Sequence, residues 1–156
     1  MTLHIRRIVT DHDEDGKAIV TIDAEMTNVA QLRSGNFASL LWVTKDTPAD
    51  ISGPEDPSQW SLDIEPPAAG SIFRVLDLMP GKDAYMHRTD TIDYAIVMSG
   101  ECDMLMDDSE IHLKAGDVLV QKATWHGWAN RGSEPCRIGF ILIGAQPPAK
   151  HLHAGD

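Results

Sequence analysis

Apolar residues in this chain gather in short runs, and Gly, Pro, Asn and Asp cut those runs at close intervals. That rhythm predicts strands joined by turns rather than long helices. Residues 3–9 read as a short strand and 11–16 as an acidic turn. Residues 17–23 contain Ala-Ile-Val-Thr-Ile, a β-branched run that predicts a second strand. Residues 36–44, with Phe37, Leu40, Leu41, Trp42 and Val43, predict another. The stretch 45–70 breaks the pattern, being polar and punctuated by Pro48, Pro54, Pro57, Pro66 and Pro67. A connection of that length inside one domain is either a lid or an element the pattern does not resolve, and Trp60 and Leu62 predict that part of it packs on the body. From Ser71 the punctuation becomes regular, with strands predicted over 72–79, 81–100, 101–106, 110–113, 118–121, 124–130 and 136–143. Short strands with turns so regularly spaced describe an all-β sandwich or barrel, and the tail from residue 146 reads as loose.

The longest predicted strand, 81–100, carries the first candidate chemistry. Side chains alternate between the two faces of a strand, so residues of equal parity share a side. His87, Thr89 and Asp93 are all odd, which aims an imidazole and a carboxylate the same way from one rigid element. A barrel would place two metal ligands inside itself by that device, although such a pair taken alone is more often a plain hydrogen-bonded one. Residues 94–98 are apolar on both faces, with Ala95 and Val97 on the His87 side and Ile96 and Met98 on the other. The outer face of a solvated strand is polar. The amino-terminal strands or a second subunit must therefore cover this one, and a homodimer is the expectation.

Composition narrows the function classes. A length of 156 residues suits one domain with a core of its own, and 42% hydrophobic with 24% charged residues is ordinary for a globular protein. A net charge of -11 argues against nucleic acid, whose phosphates need a basic face, and against an anionic membrane surface. No stretch has the length to cross a bilayer, and residues 1–10 lack the apolar run of a signal peptide. Cys102 and Cys136 are too few for a disulfide framework, which predicts a reducing compartment and a cytoplasmic location. There is no phosphate-cradling Gly loop, no nucleophile elbow and no Cys pair with zinc spacing, and Cys102 has no His partner in sequence.

A second His arrives from a distant stretch. Gly116 is followed after nine residues by His126, and then after three more by Asn130. Together with Gly81, His87, Asp93 and Gly100, this resembles the cupin family, whose fold is a double-stranded β-helix or jelly-roll barrel. The family's first motif runs G-x5-H-x-H-x3,4-E-x6-G and its second G-x5-P-x-G-x2-H-x3-N. Gly81, His87 and Gly100 fit the first, with Thr89 in place of its second His and Asp93 in place of its Glu. Lys122 stands where the second motif has Pro, and that motif is one residue shorter before His126. The resemblance covers about 71–145. It implies a barrel core there, with 1–70 as amino-terminal strands and a Pro-rich segment packed on it, 146–156 as a tail, and one structural domain in all.

The resemblance further implies a divalent metal ion (Fe, Mn or Zn) held by His87, Asp93 and His126. Two imidazoles and a carboxylate form the set found at non-haem iron sites, with positions left open for substrate or oxygen. Asp93, one methylene shorter than Glu, could instead hydrogen-bond, and Thr89, Asp90 or a water could fill the gap. The alternative is a barrel without metal, in which His87 and His126 act as an acid–base pair or simply line the interior. Arg74 is the better candidate and Arg88 the poorer one for holding a substrate carboxylate, because Arg88 has the wrong parity. Tyr85, Trp125 and Trp128 near the two His could stack on a planar substrate, though such residues are more often core. Met79, Met86, Met98, Met104 and Met106 read as filler, and His151 with His153 as a solvated pair. The expected function is a metal-dependent enzyme of dioxygenase, decarboxylase or lyase type acting on a small organic molecule. A binding or sensing cupin and a metal-free isomerase are the alternatives, since one fold hosts many chemistries.

Overall fold

The computed structural model describes residues 3–153. Strands and turns make up these residues, with no α-helix among them: β1 Arg6–His12, β2 Ala18–Glu25, β3 Ala30–Gln31, β4 Phe37–Thr44, β5 Ser71–Leu78, β6 Thr91–Ser99, β7 Glu101–Leu105, β8 Glu110–Lys114, β9 Val118–Lys122, β10 Gly127–Ala129 and β11 Cys136–Gly144. A six-stranded sheet runs β3-β4-β5-β11-β6-β9, a three-stranded sheet runs β10-β7-β8, and β1 pairs with β2 alone. Strand pairing throughout is antiparallel. The two larger sheets close over one core of Leu78, Ala95, Val97, Cys102, Met104, Leu113, Cys136 and Ile138. This is the all-β double-stranded β-helix that the sequence predicts, with β3 and β4 added as full members of the larger sheet.

Alternation explains which side chains enter that core. Along β6 the odd positions Thr91, Asp93, Ala95 and Val97 are buried, while Tyr94, Ile96 and Met98 face outward. Gly100 makes the tight reversal into β7 at φ 74°, where a Cβ would lie 2.5 Å from the Pro135 carbonyl oxygen.

Three expectations are corrected. The predicted strand over 81–100 is regular only from Thr91, and residues 82–90 run irregularly to a single bridge between His87 and His126. Pro80-Gly81 and the crossing from one sheet toward the other leave no partner strand for 82–86. Likewise, the strand expected over 124–130 shortens to Gly127–Ala129. Of the tail read as loose, residues 154–156 lie outside the described residues, and the described part is held at His153: its ring stacks on Trp125 at 4.1 Å, its carbonyl accepts from Arg88 Nε at 3.0 Å, and its Nε2 lies 2.5 Å from Asp107 Oδ1.

The Pro-rich stretch is strapped down. Asp56 caps the 3-10 turn Pro57–Gln59 through Ser58 N and takes a two-pronged ion pair from Arg7, which holds its carboxyl well below the usual range. Asn28 Nδ2 donates to Ser58 O at 2.7 Å and to Leu40 O at 2.9 Å, joining the strap to β4. Trp60 and Leu62 pack against the cluster of Val43, Ile72 and Leu142, as expected.

The outer face of the large sheet is covered in part. Leu3 and Met26 close over Leu41 and Val75 at the β4–β5 end. At the β6–β9 end the cross-strand pairs Tyr94–Val120 and Ile96–Val118 remain in solvent, with Val118 73% and Val120 60% exposed.

Candidate functional site

His87 and His126 meet because their backbones form a two-way bridge: His87 N donates to His126 O at 2.8 Å, and His126 N to His87 O at 2.9 Å. The following residue, Gly127, permits the approach, since a Cβ there would sit 2.7 Å from Met86 Sδ and 3.2 Å from the Tyr85 carbonyl oxygen. The two imidazole centroids end 4.5 Å apart. The chain reaches His126 from β9 through Ala123, a non-glycine residue in the left-handed region at φ 54°. Such a conformation costs about 1 kcal/mol or more and persists where the surroundings impose it.

Hydrogen bonding fixes the tautomers. His126 Nδ1 lies 2.8 Å from the Thr124 carbonyl and His87 Nδ1 3.1 Å from the Tyr85 carbonyl. A carbonyl oxygen only accepts, so each Nδ1 carries a proton, and at His126, which burial keeps neutral, Nε2 is left with its lone pair. This is how backbone carbonyls orient imidazoles that bind a metal or accept a proton. His126 is 4% exposed, and burial pulls its pKa down to about 4, so it is neutral at pH 7.

Asp93 comes from β6, directly opposite Gln121 of β9. Thr91 Oγ1 donates to Asp93 Oδ1 at 2.6 Å and Gln121 Nε2 to Asp93 Oδ2 at 2.9 Å; the same Nε2 lies 3.3 Å from His126 Nε2. Burial raises the Asp93 pKa above its ordinary value, and these two hydrogen bonds oppose the rise. Gln121 Oε1 is buried with no partner.

His87, Asp93, His126, Arg74, Tyr85 and Trp128 line one cavity of about 200 Å³. Tyr85 stacks on His87 at 5.2 Å, and Trp128 sits edge-on to His126 and to Phe140. Thr89 does not line the cavity. It is buried behind it, its hydroxyl 2.7 Å from that of Thr91. Asp90 and Arg88 pair with each other at 2.7 Å away from the cavity, so neither contributes. Trp125 faces the docked tail. Thr91 and Gln121 escaped the sequence reading. The available signal for Gln121 was a polar residue at an inward position of the apolar strand Val118–Lys122.

The donor set can be tested against a divalent ion. Two imidazoles tied back through Nδ1, a buried carboxylate and an orphaned amide oxygen suit one chemically. Among the described residues, however, no three His, Cys, Asp or Glu side chains stand together as a ready ligand cluster. The Gln121 amide bridges Asp93 and His126. His87 and His126, with Asp93 or Gln121, are the residues that would hold an ion.

Residues 74–144 match the cupin domain family. Over 149 residues the chain is 34% identical to phomopsin biosynthesis cluster protein D of Diaporthe leptostromiformis, covering 90% of this chain and 79% of that protein. It is 31% identical over 149 residues to the cupin-domain-containing oxidoreductase virC of Hypocrea virens, covering 90% and 76%. This chain belongs to the cupin family. A structure from Salmonella typhimurium LT2 described as ethanolamine utilization protein Q shares the fold at TM-score 0.54 and 11% identity, over 92% of this chain and 99% of that one. No helix among the described residues is long and apolar enough to cross a membrane.

Proposed function

We propose that this cupin is an enzyme of oxidoreductase type acting on a small organic molecule, with His87, Asp93 and His126 as its reaction centre and a divalent ion (Fe, Mn or Zn) as its cofactor. The observation that carries the reading is the pair of imidazoles facing one cavity with their Nδ1 atoms tied to backbone carbonyls, which leaves the Nε2 side of each ring for an ion or a proton. The names of the similar fungal proteins support the reaction class. When bound, an ion would supply a Lewis acid or an oxygen-binding centre. The chain itself would supply a neutral base at His126 Nε2, a carboxylate at Asp93 steadied by Thr91, and aromatic walls at Tyr85 and Trp128. Elemental analysis of protein purified without chelator or affinity tag tests this, beside His87→Ala and His126→Ala. The expected result is about one equivalent of metal per chain, lost in both variants. Absence of metal, and no uptake on reconstitution, sinks the reading.

A second reading is favoured by the closed network Thr91–Asp93–Gln121–His126, which satisfies the carboxylate without any ion. It is metal-free proton transfer, with His126 as base in an isomerase. Turnover that survives exhaustive chelation selects it, whereas ligand binding without turnover selects a sensing cupin.

The exposed β6–β9 face supports a homodimer in the cytoplasm. Its cross-strand pairs Tyr94–Val120 and Ile96–Val118 are apolar and exposed on the same sheet whose β4–β5 end the chain's own Leu3 and Met26 cover. A second copy of the same face is the occupant that closes by a two-fold axis. Sedimentation of the wild type as a dimer and of Ile96→Glu/Val120→Glu as a monomer is the expected outcome, and a monomeric wild type sinks it. The free buried thiols of Cys102 and Cys136 support a reducing compartment.

A further inference from the structure

The strap over 57–67 and the sheet beneath it enclose a cleft of about 930 Å³, which meets the site cavity at Leu32, Ile64, Arg74 and Leu76. Arg74 is the one charged group common to both. It comes from β5, opposite Phe140 of β11, and so stands on the inner wall of the large sheet.

Its surroundings are unusual for this protein. Arg6, Arg7, Arg88, Arg131 and Arg137 each pair with a carboxylate, and Arg33, which does not, is exposed to solvent. Arg74 pairs with none among the described residues, although the chain holds 24 acidic residues and Asp63, Glu65 and Asp83 line the same two cavities. Its one hydrogen bond goes from Nη2 to the Asp63 carbonyl oxygen, at a long 3.3 Å. Burial lowers its pKa, with no carboxylate to offset the loss of water. A guanidinium presents five donors in a flat fork that matches a carboxylate two bonds at a time. Taking it partly out of water without a partner is costly, and the cost is recovered when an anion arrives. The walls nearby are Leu76, Trp128, Phe140 and Leu142, all apolar and two of them aromatic rings.

We propose that the two joined cavities take a small carboxylic acid with a flat apolar body, its carboxylate on the Arg74 guanidinium and its body along Trp128 and Phe140 toward His87 and His126. This deepens, and rests on, the assignment of the reaction centre above. Arg74 is then a specificity-determining residue.

The test is calorimetric titration of the full chain with benzoate and indole-3-acetate beside their neutral amides, benzamide and indole-3-acetamide. At least one acid is expected to bind, about tenfold or more tighter than its amide. Arg74→Gln should bring the acid down to the amide's level, and Arg74→Lys, which keeps the charge but loses the fork, should fall between. His126→Ala should still bind the acid. Loss of metal in that variant with acid binding retained separates failure of the reaction centre from failure of the anchor. Thermal melts of both Arg74 variants check that they fold. Equal binding of acid and amide, acid binding that survives Arg74→Gln in folded protein, or no binding by either acid overturns the proposal.

Discussion

Two histidines of this protein, His126 and His112, sit near carboxylates in surroundings that drive them apart. His126 is buried beside Gln121 and the Asp93 side chain, and loss of water pulls its pKa down to about 4. His112, on β8, is exposed between Asp103 at 2.7 Å and Glu101 at 3.2 Å, and those hydrogen bonds raise its pKa. Arg131 and Glu110 complete that surface group. Closeness to acid therefore does not mark a functional His; what it donates to and what remains bare does. At His112 both ring nitrogens face carboxylates, while at His126 one is tied to a carbonyl and the other turns a lone pair toward the Gln121 amide.

The largest way to sharpen the contrast is acid stability in chelator-treated protein. A buried His whose folded pKa lies below its unfolded one binds its proton more readily when unfolded. Its contribution is therefore full above pH 6.5 and is lost as pH falls toward about 4. The gap corresponds to about 3 kcal/mol. Denaturant titrations from pH 7 to 4 should show the wild type losing that much more stability than His126→Gln. Parallel curves would mean that His126 stays accessible to protons.

Next in size is Gln121→Leu, which removes the amide bridging Asp93 and His126 while keeping bulk. Leaving a buried carboxylate oxygen without its donor costs about 1–3 kcal/mol. Loss of an outer partner typically weakens metal binding about 10–100-fold. Metal titration should separate two roles: weaker uptake makes Gln121 a support, whereas stronger uptake means that its amide blocks the ligand cluster.

This part of the site was the part the sequence concealed. His87, Asp93 and His126 were legible because motif spacing and strand parity are local properties, and the barrel fold brings the two motifs together. Gln121 was not, because its role arises from a cross-strand register, Asp93 opposite Gln121, that no spacing along one strand encodes. Strand parity puts Thr89 on the side of Asp93, but it reaches that carboxylate only through Thr91. The docking of His153 on Trp125 was equally invisible, because it joins residues far apart in sequence without periodicity.

A smaller effect is expected of Thr91→Val. The Thr91 hydroxyl holds the Asp93 pKa down against burial, so its removal should raise that pKa further. If the ionised carboxylate is the working form, the acid limb of the pH–rate profile moves to higher pH while the rate on the plateau changes little. An unmoved limb would take Asp93 out of the titrating set.

The smallest effect belongs to His112→Ala, and its direction is opposite to that of His126. A His with a raised folded pKa stabilises below its unfolded pKa, and the contribution fades as pH rises through the folded value. The variant should therefore melt slightly lower than wild type at pH 5, and the difference should close above neutrality. Salt should erase it, because an exposed ion group is screened where a buried one is not. If salt or high pH left the difference intact, His112 would be contributing by packing, and the opposition between the two histidines would no longer be one of charge.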